Sequence, residues 1–108
     1  MPTKTDRIQD EGLRRAMEEA NDALKAGDYK RVVDLTTGAY AELLRRNPAM
    51  TQGAEQIRNV MFFPRLGAHI QLSSAGQPEV VWDREKFIFS EAVTYLEFTV
   101  DSLVRMGA

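Results

Sequence analysis

The chain has 108 residues, with 14 basic against 16 acidic side chains and a formal net charge of −2, so it lacks the positive field that would gather nucleic acid or an anionic membrane. Its 44% apolar and 28% charged content excludes disorder, and its length suits a single helical domain over residues 1–108, with 1–6 as a flexible N-terminus. The absence of cysteine removes disulfides, thiolate nucleophiles and cysteine metal ligands, and it fits a reducing, cytoplasmic setting.

From about Arg7 to Ala26, Leu13, Ala16, Met17, Ala20, Ala23 and Leu24 recur at helical spacing, with Arg14, Arg15, Glu18, Asp22 and Lys25 on the other face. Gly27 stands where a helix commonly ends in the left-handed conformation, and Asp28 is a good N-cap for the helix that follows. That second helix carries Tyr29, Val32, Val33, Thr36, Ala39, Tyr40, Leu43 and Leu44 on one stripe. It closes with Arg45, Arg46, Asn47 and the breaker Pro48. So short a connection predicts an antiparallel hairpin.

On these residues the segment from Ala16 to Pro48 resembles a single tetratricopeptide-type helical hairpin. Gly27-Asp28-Tyr29 falls on that family's glycine-acid-tyrosine corner, and Ala20 and Ala39 fall on its small-residue positions. The resemblance implies a helical hairpin and no more. The motif occurs once, whereas the family's peptide-binding groove needs at least ~3 repeats stacked at a ~34-residue period.

A third periodic segment runs from about Thr51 through Ala54, Ile57, Val60, Met61, Ala68 and Leu72, and Pro64 predicts a kink or a division into two shorter helices. Its longest apolar run, Val60 to Pro64, is far short of the ~20 residues that span a bilayer, so no membrane segment is expected. Ser73 to Pro78 is rich in turn formers, and Val80-Val81-Trp82 has strand propensity. A small hairpin near 69–82 is possible. An isolated two-stranded ribbon is marginal, however, and the helical spacing of the preceding apolar residues favours a loop. Asp83 then caps a long last helix. One stripe of it is Ile88, Ala92, Tyr95, Leu96, Thr99 and Leu103; a second is Phe89, Val93, Val100 and Val104; and Gly107 ends it. The expected fold is all-α, with about four helices and the last packed across the first pair.

The sequence points to no catalytic residue, no metal and no cofactor. His69 is the only histidine, which argues against the usual zinc and di-iron centres. It has no serine elbow to serve, and the Arg65–His69 interval is too short for the arginine-histidine pair of HEPN-type ribonucleases. Glu97 with Asp101, and Glu18 with Asp22, lie one turn apart without further ligands, and they read as solvated faces. Arg45-Arg46 fits compensation of a helix dipole better than phosphate binding.

The apolar group Met61, Phe62, Phe63, Trp82, Phe87, Ile88 and Phe89 has too many large side chains for one helical seam. Either these side chains wrap the core around Pro64, the favoured reading, or some of them form a subunit interface or line an apolar pocket. The leading expectation is a non-catalytic interaction or assembly module, most simply a homodimer, with a separate protein partner also possible. The alternative is a small-ligand-binding protein or accessory enzyme whose pocket, between the third and last helices, is lined by Phe62, Phe63, His69, Trp82 and Tyr95.

Overall fold

The computed structural model describes residues 4–47, 68–72, 74–76, 78–82 and 85–108. Helices predominate: α1 (Glu11–Lys25), α2 (Tyr29–Arg46) and α3 (Phe89–Arg105), with the strands β1 (Ala68–Leu72) and β2 (Pro78–Trp82) between the last two. The chain divides into two compact units, Met1–Tyr40 with Lys86–Ala108, and Ala41–Glu85.

In the first unit α1 begins four residues later than its apolar pattern suggests. Asp10, in extended backbone, is the N-cap, and its Oδ1 accepts the Leu13 N–H at 2.9 Å. The helix ends in a Schellman motif around the corner. The Asp28 N–H donates to the Ala23 carbonyl (2.9 Å) and the Gly27 N–H to that of Leu24 (3.1 Å), with Gly27 at φ 77. Any residue with a Cβ would be strained there. Asp28 then caps α2, its Oδ1 accepting the Arg31 N–H at 3.2 Å. Arg31 also reaches back across the corner to Glu19, at 3.4 Å. The corner thus turns the chain back on itself with most of its terminal backbone groups partnered.

Two aromatic pairs set the direction of α3. Tyr29 and Phe89, at the first positions of α2 and α3, meet edge-on at 6.0 Å, while Tyr40 and Phe98, further along each helix, lie 5.7 Å apart. The starts meet and the later turns meet, so α3 runs parallel to α2 and antiparallel to α1, on which it packs. The chain ends agree: the Gln9 N–H, just before α1, donates to the carbonyl of Ala108, just beyond α3, at 2.8 Å. A second Schellman motif closes α3 there, with Ala108 N–H to Leu103 O (2.9 Å) and Gly107 N–H to Val104 O (3.1 Å).

The core of the helical unit is built from the expected stripes. Met17, Ala20, Val32, Val33, Thr36, Tyr40, Ala92, Tyr95, Leu96, Thr99 and Leu103 are all buried, and Ile8, which the sequence reading left out, joins them. At roughly 1.5–3 kcal/mol for each large apolar side chain removed from water, this stripe is the main source of stability. The buried hydroxyl of Thr36 bonds the Val32 and Val33 carbonyls of its own helix (2.9 and 3.0 Å), and that of Thr37 bonds Val33 and Asp34 (2.8 and 2.9 Å).

Two expectations are corrected. The start of the last helix is not at Asp83: residues 85–88 are non-helical, and Ile88 is the N-cap. Residues 69–82 contain a hairpin rather than a loop. β1 pairs antiparallel with β2 in the register Ala68↔Trp82, Ile70↔Val80 and Leu72↔Pro78, which takes Ala68 and Leu72 out of the third helical segment. The β-branched Val80-Val81 run prevails over the helical spacing of its neighbours once a partner strand is supplied. The kink expected at Pro64 lies outside the described residues.

Candidate functional site

Among the described residues, the large apolar side chains left in water are Ile88 (62% exposed), Phe89 (55%) and Met106 (42%). The first two are adjacent at the start of α3, and local backbone chemistry holds them there. An N-cap needs extended backbone, which Ile88 has (φ −102, ψ 165), but an isoleucine side chain cannot accept the free N–H groups of the first turn. Glu91 takes over part of that task from the third helical position, its Oε1 accepting the Ile88 N–H at 3.1 Å. The backbone is therefore pinned while the Ile88 side chain stays out. Phe89 leans edge-on against the half-buried Tyr29, which orients its ring without covering it. Ile88, Phe89 and Tyr29 thus form an exposed apolar face where the two parallel helices begin.

The other predicted site residues lie elsewhere. Tyr95 is fully buried in the helical core. Burial, together with the nearby Tyr40, drives its phenol well above the usual range, with the Thr99 hydroxyl offsetting part of the effect. Tyr40 itself is pushed up to about 12 by burial. Trp82 is half-buried at the end of β2, and His69 stands opposite Val81 in the hairpin register. Met61, Phe62 and Phe63 lie outside the described residues, as does Arg65.

Glu18, Asp101, Arg45 and Arg46 have local partners. Arg45 and Arg46 both bond Glu42, at 2.7 and 3.2 Å, and those hydrogen bonds hold the Glu42 carboxyl below the usual carboxylate range. Arg14 pairs with Glu18 (3.7 Å), Arg15 with Glu11 (2.8 Å), and Arg105 with Asp101. Among the described residues no group of three or more histidines and carboxylates could hold a metal ion, and no helix is long and apolar enough to cross a membrane. An open depression of about 360 Å³ beside the corner is lined by Glu19, Asp22, Ala23, Ala26, Asp28 and Arg31.

Sequence reasoning found Phe89 but set Ile88 on the core stripe and gave Tyr29 no role at the surface. Periodicity carried no signal for Ile88, which lies four residues before Ala92 and eight before Leu96; it leaves the core face because it is the N-cap, with extended rather than helical backbone. No family model matches the chain, and neither a curated protein nor a solved structure matches it.

Proposed function

We propose that this chain is a non-catalytic protein-interaction and assembly module that self-associates as a homodimer through the start of α3. The observation that carries the reading is the exposure of Ile88 and Phe89 side by side at a helix start. Solvated helices usually begin on Ser, Thr, Asp or Asn, which cap the helix and suit water. Here a capping position is given to an isoleucine beside an aromatic ring, the composition of an interface centre rather than of a wet surface. A two-fold axis through the face would set Phe89 against its own copy, so that one patch serves both partners.

The size of the patch sets the strength. Ile88 and Phe89 are 62% and 55% exposed, so burying what remains on both copies gains roughly 3.5–7 kcal/mol, at ~1.5–3 kcal/mol per fully buried side chain. Association costs on the order of 4–15 kcal/mol. The two side chains therefore support at most a weak, concentration-dependent dimer. In this reading the single tetratricopeptide-like hairpin is the rigid frame that presents Tyr29 to Phe89, and the cysteine-free chain works in a reducing, cytoplasmic setting.

Light scattering on the wild type at rising concentration, beside Phe89→Asp, tests the proposal. The expected result is a mass that climbs toward twice the chain mass in the wild type and stays monomeric in a folded Phe89→Asp. A wild type that remains monomeric throughout overturns the homodimer, and an equally dimeric Phe89→Asp moves the interface away from α3.

A further inference from the structure

We draw no further inference here: the strongest candidate beyond the α3 face, the open depression beside the α1–α2 corner lined by Glu19, Asp22, Asp28 and Arg31, is a surface acidic cluster around one ion pair, and no second feature of it names a ligand.

Discussion

The starts of α2 and α3 lie side by side, joined by the Tyr29–Phe89 contact, yet they are built on opposite principles. At α2 the cap is Asp28, whose own carboxylate accepts the Arg31 N–H, and the exposed residues that follow are charged, with Lys30 bonded to Asp34 at 2.6 Å. At α3 the cap is Ile88, whose N–H donates to Glu91 Oε1, and Ile88 and Phe89 are both exposed. One helix start is made for water. The other gives up a side-chain cap worth about 1 kcal/mol to keep apolar surface at a defined place, which is the pattern expected where a surface serves binding before stability.

The contrast breaks most visibly along α3 itself. Leu96 is fully buried two turns beyond the exposed Phe89. Leu96→Ala should cost about 2–5 kcal/mol in urea unfolding followed by circular dichroism, whereas Phe89→Ala should cost less than about half of that in dilute protein. Comparable losses would mean that Phe89 belongs to the core.

A smaller effect separates core from surface by pH. A phenol whose folded pKa is raised contributes stability that is intact below its unfolded value of 10.0 and is lost as pH climbs toward about 12. For Tyr40 that loss is at most about 3 kcal/mol, at ~1.4 kcal/mol for each unit. Unfolding at pH 8 and pH 11.5 should show the decline in the wild type and a shallower one in Tyr40→Phe. Equal slopes would place the alkaline sensitivity elsewhere.

The two caps themselves should respond asymmetrically. Asp28→Ala removes a working cap and should destabilise by about 1 kcal/mol. Ile88→Ser removes a partly buried isoleucine but completes a capping box with Glu91, so the two effects, each about 1 kcal/mol, should nearly cancel. Thermal or urea unfolding of dilute samples measures both. A loss above about 2 kcal/mol in Ile88→Ser would place Ile88 in the core after all.

Smallest of all, Gly38→Ala should stabilise by about 0.5–1 kcal/mol. The glycine is exposed inside α2, and a Cβ there would meet nothing within 4 Å. A loss on the same unfolding assay would show that the added methyl group meets something in solution.

What was legible in the sequence was local. The corner from Ala26 to Tyr29 could be read because both of its signals, a left-handed glycine and a capping carboxylate, act within a few residues of themselves. The core stripe from Ala92 to Leu103 followed from helical periodicity alone. The start of α3 was misread because Asp83 carries the usual cap signal, while the bond that sets the start is donated by the Ile88 N–H, of a residue with no capping side chain, to the Glu91 carboxylate. The hairpin was undervalued because Ala68 and Leu72 continue the helical spacing of the segment before them and an isolated two-stranded ribbon is marginal. The parallel course of α2 and α3 was likewise invisible, since it rests on Tyr29–Phe89 and Tyr40–Phe98, pairs far apart in sequence.

Sedimentation equilibrium of the wild type and Ile88→Ser over the same concentration range tests the central claim most directly. The account predicts a reversible monomer–dimer equilibrium in the wild type and a monomeric Ile88→Ser whose unfolding midpoint, in dilute samples, matches that of the wild type. A wild type that stays monomeric at every concentration, or an Ile88→Ser that dimerises as strongly as the wild type, would contradict it.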